Sequence, residues 1–168
     1  DEYVGLSQDN VNSYYYFMQD NLFGKTDVDK DRINFLSGEA EDLEAECTRY
    51  YNRIRECGGI DIQLLGIGTN GHIGFNQPGT PFTQRAFHGT MHDYLEARIR
   101  RETNTPDDVP LGGVTLGIAD VMDAKAILLC ANGAHKKQPL TESVSGCFCI
   151  PMIISSRTGY PGCWGRSG

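Results

Sequence analysis

The chain has little of what would carry it to nucleic acid or into a membrane. Its 168 residues hold 15 Lys and Arg against 22 Asp and Glu, a formal net charge of −7. Nucleic acids and anionic membranes both reward a basic face, so neither is an expected partner. A small phosphorylated molecule needs only one or two local cations and is not excluded by the charge. No apolar run is long enough to span a membrane, and no basic-then-apolar segment opens the chain. There is one tryptophan, no internal repeat and no low-complexity linker. Among the six cysteines, Cys147-x-Cys149 lacks the paired spacing of a zinc site and has no histidine near it. Free thiols and a cytoplasmic location are therefore expected, with no metal.

What is present suits one ordinary globular domain, with 39% hydrophobic and 22% charged residues. Val11 to Phe23 reads as a helix opened by the polar Ser7 to Asn10 and ended by Gly24. Its Tyr14-Tyr15-Tyr16-Phe17 cluster is bulky for a helix surface and suggests core packing or a subunit contact, as in a homo-oligomer. Ile33 to Leu36 reads as a short strand. Ala40 to Gly59 is the clearest helix: Leu43, Cys47, Tyr50, Tyr51 and Ile54 recur at helical spacing, acids crowd the first turn and arginines the later ones. Ile60 to Leu65 and Ala126 to Ala131 read as buried parallel strands, with a capped helical turn at Thr115. Asp93 to Glu102 is helix-like, and a helix starting at Ala134 meets a breaker in Pro139. Helices alternating with apolar strands predict an α/β fold with a parallel, Rossmann-like sheet. Residues 147–168, rich in glycine and proline near their end, form an atypical tail without periodicity, which sets 1–146 apart as the domain.

Gly66-x-Gly68-x-x-Gly71 has the spacing of a dinucleotide-binding loop, and a strand precedes it. The helix that should open inside the glycines is missing: Gly74, Pro78, Gly79 and Pro81 follow within a few residues. Asp93 stands at a plausible distance for a ribose contact but has no helix to place it. A dinucleotide is thereby disfavoured. What remains is a glycine loop at the carboxyl end of a strand, followed by His72, Asn76 and Gln77. Open α/β sheets bind ligands at such strand ends, and glycines let backbone amides approach them closely.

INFLSGEAEDLEAEC, GGIDIQLLGIG and NGHIGFNQPGTPF together resemble the glucosamine-6-phosphate deaminase family, as do the opening DEYVGLS and the SYYYFM helix. The resemblance runs from Asp1 to about Lys136. It implies a Rossmann-like sheet and conversion of glucosamine 6-phosphate and water to fructose 6-phosphate and ammonia, in amino sugar catabolism and without a redox cofactor. By resemblance His72 is the ring-opening histidine, suited to that role by an ordinary pKa near neutrality. Asp1 is likewise the carboxylate that moves a proton between C2 and C1. Asn70 and Gln77 flank the histidine, Gly66 and Gly68 belong to the substrate loop, and Arg101 and Lys136 stand where the family binds phosphate, with Arg98 or Arg100 as alternatives to Arg101. Read alone, Asp1 is a solvated acid, Arg101 a basic helix end and Lys136 a surface lysine. His88, His92 and His135 match no site position.

Two departures bear on activity. Gln77 stands where the family commonly has an acid, and Asn70 where some members do. His72 therefore lacks a carboxylate from this motif to favour its charged form, which predicts slower ring opening on a retained fold. Nothing in the chain corresponds to the family's upstream glycine-serine-threonine phosphate loop, so the expectation is a truncated site on a recognisable scaffold. The competing readings are a sugar-phosphate-binding pseudoenzyme, a hydrolase of the 6-phosphogluconolactonase type, and, last, a dehydrogenase.

Overall fold

The computed structural model describes residues 1–90, 96–97, 100–101 and 112–145. The tail, His92, Asp93, Arg98 and the whole polar link Thr103 to Asp108 lie outside the described residues. Among the described residues, five strands form two sheets. β1 (Glu2–Tyr3), β4 (Gly112–Thr115) and β3 (Phe87–Thr90) make an antiparallel sheet in the order β1-β4-β3. β2 (Ile62–Gly66) and β5 (Ala126–Cys130) form the parallel pair, in register from Ile62 opposite Ala126 to Gly66 opposite Cys130. With its helices this is an α/β fold of Rossmann-like type.

α1 (Tyr14–Asn21) is shorter than Val11 to Phe23. Ser13, not the earlier polar residues, caps it: its hydroxyl accepts from the Tyr16 amide at 3.3 Å. Gly24 lies inside a 3-10 turn, Phe23–Lys25, rather than past a helix end. α2 (Leu43–Glu56) starts after Asp42, whose carboxylate accepts from the Ala45 amide at 2.9 Å. Glu44 and Glu46 sit in its first turn and Arg53 and Arg55 in its last, each complementing the helix dipole. Ile33 to Leu36 form no strand; among the described residues they have no ladder partner, and Leu36 contributes burial instead, packed with Cys47 and Val114.

Thr115 ends β4, and the helical turn begins later, as α3 (Ile118–Met122). Asp120 accepts from the Gly117 amide at 3.2 Å and so fixes the start of α3. Pro139 does not break α4 (Lys137–Ser145), because it stands in the first turn, where a helix amide has no acceptor within the helix.

The parallel strands are not buried on both faces. Leu65 packs inward against Ile73 and Ile118, but Ile62, Leu64 and Leu128 are 69%, 63% and 54% exposed. The alternation follows from the strand period of two, and none of the described residues covers the outer face. No helix among the described residues is long and apolar enough to cross a membrane.

Candidate active site

β2 ends at Gly66, and the chain then turns sharply. The Gly68 amide donates to the His72 carbonyl at 2.8 Å and the Gly71 amide to the Gly68 carbonyl at 3.1 Å, folding His72 back over Gly68. A Cβ on Gly68 would lie 2.1 Å from the imidazole, so the residue must be glycine for the ring to occupy this place.

Asn70 orients the imidazole. Its Oδ1 accepts from the His72 amide at 3.2 Å and lies 2.6 Å from Nδ1. A backbone N–H can only donate, so the Asn70 atom facing it is oxygen, and the same oxygen faces the ring. Nδ1 therefore carries the proton in the neutral ring, and Nε2 is its basic nitrogen. Asn70 Nδ2 in turn donates to Gln77 Oε1 at 3.1 Å. Gln77 thus reaches His72 through Asn70. Asn76, grouped with the ligand residues in the sequence, instead ties the loop to the scaffold. Fully buried, it donates to the Ile73 and Leu116 carbonyls at 2.9 and 2.8 Å.

Asp1 arrives from the other sheet. Its carboxylate accepts from the Thr115 hydroxyl and passes beside Gly74, whose φ is +56°. Glu2, buried, accepts from Ser13 Oγ at 2.8 Å and from the Tyr14 and Tyr15 amides at 3.1 and 3.0 Å. One carboxylate thereby locks β1, which carries Asp1, to the start of α1.

Asp1, Gly66, Gly68, His72 and Lys136 line a single cleft of about 350 Å³, with Tyr14 and Phe75 as its aromatic wall. Lys136 comes from the turn Ala134–Lys136, and its ammonium donates to the Ile67 carbonyl at 2.5 Å. Two of its three hydrogens remain for an anion. Arg101 is exposed on a helical stretch and is not among the residues lining this cleft. Arg100, the alternative, is paired with Glu96 at 2.5 Å.

Sequence reasoning missed Tyr14, Thr115 and Glu2. Glu2 had a signal, since it adjoins Asp1 and Ser13 precedes a helix. Thr115 had none, standing 114 positions from its partner.

The chain matches the family model for glucosamine-6-phosphate isomerases/6-phosphogluconolactonase over residues 5–151. It is 44% identical over 146 residues to the glucosamine-6-phosphate deaminase of Oceanobacillus iheyensis, covering 87% of this chain and 58% of that protein. To the deaminase of Bacillus velezensis it is 44% identical over 161 residues, covering 96% and 67%. A solved monomeric glucosamine-6-phosphate deaminase superposes with a TM-score of 0.80 at 41% identity, over 86% of this chain and 60% of that one. The 6-phosphogluconolactonase of Thermotoga maritima shares the fold at 17% identity, with a TM-score of 0.62 over 84% and 59%. The chain thus spans about three-fifths of the length of most of these relatives.

Proposed function

The chain belongs to the glucosamine-6-phosphate isomerase/6-phosphogluconolactonase family, and on that premise we propose that it acts as an aminosugar-phosphate deaminase. The reaction is conversion of glucosamine 6-phosphate and water to fructose 6-phosphate and ammonia. One observation carries this reading: a carboxylate, an oriented imidazole and an ammonium from three separate parts of the chain line the same cleft.

Ring opening needs a proton removed from the anomeric hydroxyl and one delivered to the ring oxygen. His72 Nε2 takes the first and, once protonated, supplies the second. Asp1 then removes the C2 proton and returns it to C1, while O1 gains a proton and the nitrogen gives one up, so that the open-chain amino aldose becomes the C2 imine of the ketose. Water adds at C2 and ammonia leaves. Lys136 takes the phosphate, and Arg101 is proposed as a second cation that reaches it when the sugar is bound. The same reading places the protein in the cytoplasm, in keeping with the free thiols Cys47, Cys57 and Cys130. Exposed Tyr16 and Phe17 on α1, with exposed Val11 and Leu22 beside its two ends, support a subunit contact there, although one solved relative is described as monomeric; sedimentation decides between them.

A second reading, a sugar-phosphate-binding pseudoenzyme, is favoured by the amides of Asn70 and Gln77 beside His72. Ammonia release from glucosamine 6-phosphate tests both. Release abolished by Asp1→Asn establishes the deaminase. Tight fructose 6-phosphate binding with no ammonia from wild type establishes the binding protein.

A further inference from the structure

We propose that Thr115 is a positioning residue that aims the Asp1 carboxylate and couples it to the loop bearing His72; this rests on the deaminase reading. Thr115 is fully buried, on the last position of the strand that pairs with β1. Its Oγ1 receives the Phe75 amide at 3.3 Å and donates to Asp1 Oδ1. A hydroxyl has one proton to give. The Leu116 carbonyl, also at 3.3 Å, is the poorer acceptor beside an ionised carboxylate in close contact. The proton therefore goes to Asp1, and the Phe75 N–H holds the hydroxyl oxygen from behind.

Gly74 closes the arrangement. A Cβ there would stand 2.6 Å from Thr115 Oγ1 and 2.9 Å from Asp1 Oδ2. The loop backbone thus passes against the hydroxyl and carboxylate together, and the glycine leaves room for both. Phe75, the residue that donates to Thr115, is three positions from His72 and lines the same cleft. The proton-transfer carboxylate and the ring-opening histidine are thereby held in one frame, with Thr115 as the atom-scale link between the two sheets.

Thr115→Val removes the donor at nearly constant volume, and Thr115→Ser keeps it. Both variants are made in the whole protein. The readouts are kcat and KM for glucosamine 6-phosphate, solvent-proton exchange at C1 of fructose 6-phosphate, fructose 6-phosphate binding and the thermal midpoint. A misaimed carboxylate lowers kcat and the exchange rate on the order of 100-fold in Thr115→Val, with KM and product binding changed little. Thr115→Ser recovers most of both rates. Wild-type rates in Thr115→Val overturn the proposal, as do equal losses in Val and Ser accompanied by lost product binding. A wild-type protein that releases no ammonia sinks the deaminase reading instead. The link is then judged by the Asp1 ¹³Cγ resonance at neutral pH, assigned with Asp1→Asn: it moves in Thr115→Val if the hydroxyl donates to it, and no movement overturns the proposal.

Discussion

Asn70 Oδ1 lies 2.6 Å from His72 Nδ1 while accepting the His72 amide, so an amide carbonyl sets the tautomer of the ring. An amide orients the imidazole as well as a carboxylate would, but brings no charge to stabilise the imidazolium.

The first prediction follows from that contact. Asn70→Asp puts a carboxylate directly on Nδ1 and should move the His72 limb of the pH–rate profile upward by about one unit or more. Gln77→Glu keeps the acceptor for Asn70 but adds its charge one link away, so its shift should be less than half as large. Turnover on the cyclic sugar should rise in both, more in Asn70→Asp. Profiles of kcat/KM for the two variants decide it, and an equal or larger shift from Gln77→Glu would contradict the relay.

Glu2 is the second. It is buried, and its acceptors meet a hydroxyl and two amides at the start of α1. Glutamine retains the shape but turns one acceptor into a donor facing donors. Glu2→Gln should cost about 2–3 kcal/mol in denaturant unfolding and lower activity through Asp1, its chain neighbour. A change below the error of the extrapolation would mean that the amides are satisfied otherwise.

Much of this was legible in the sequence, and the reason is locality. The α2 pattern, the Gly58-Gly59 stop and the glycine loop after β2 are written in contiguous residues, and the breakers after His72 rightly excluded a helix. The antiparallel sheet was not legible. β1 and β4 are two and four residues long, far apart in the chain, and Gly112-Gly113 has no strand propensity of its own. Thr115 read as a cap because threonine before an apolar turn is a common helix opening; strand pairing with Phe87 overrode that local preference. Exposure of Ile62, Leu64 and Leu128 was equally hidden, since an apolar run says that a face can be buried but not what lies over it. The motif singles out His72, but its contact with Asn70 through Oδ1 is a matter of side-chain distance that no residue pattern expresses.

The third prediction concerns acid stability. The Arg49 guanidinium, hydrogen-bonded at 2.6 and 2.7 Å, holds the Glu46 carboxyl below the usual carboxylate range; the Ser37 amide adds to this, and burial works against it. A depressed folded-state pKa stabilises the protein above the unfolded pKa, and that stabilisation is lost as pH falls through the folded value. Arg49 is half exposed, so the contribution is about 1 kcal/mol or less. Glu46→Gln should be less stable than wild type at pH 7 by that amount. The gap should close on the acid side of about pH 4. Urea midpoints across that range provide the check; a gap that widens in acid would reverse the sign.

Cysteine chemistry gives the fourth. Burial, followed by the charges of Glu46, Glu44 and Asp120, pushes the Cys47 thiol up to about 11. The thiolate is the reactive form, so Cys47 should resist iodoacetamide at pH 8 while exposed Cys57 and Cys130 are alkylated. Peptide mapping after native labelling should find Cys47 unmodified, and the same treatment in urea should label it. Native labelling of Cys47 at the rate of Cys57 would mean that the Leu36–Cys47–Val114 core opens readily.

Gly68 supplies the last. A Cβ at this position would fall 2.1 Å from both Cε1 and Nδ1 of His72, so alanine and the imidazole cannot both keep their places. The ring is the movable partner, because Gly68 is fixed by the hydrogen bond its amide donates to the His72 carbonyl and by the one its carbonyl accepts from the Gly71 amide. Gly68→Ala should therefore fold, with a thermal midpoint near wild type, yet push His72 off Asn70 and out of the cleft. Ring opening should suffer first. A displaced general acid–base group costs on the order of 100-fold or more in rate, and the loss should be largest on the cyclic aminosugar. Exchange of the C1 proton in open-chain fructose 6-phosphate, which the proposed mechanism assigns to Asp1, should survive to a greater extent. Equal loss of the two rates would show that Gly68 shapes the whole cleft and not the seat of the histidine alone.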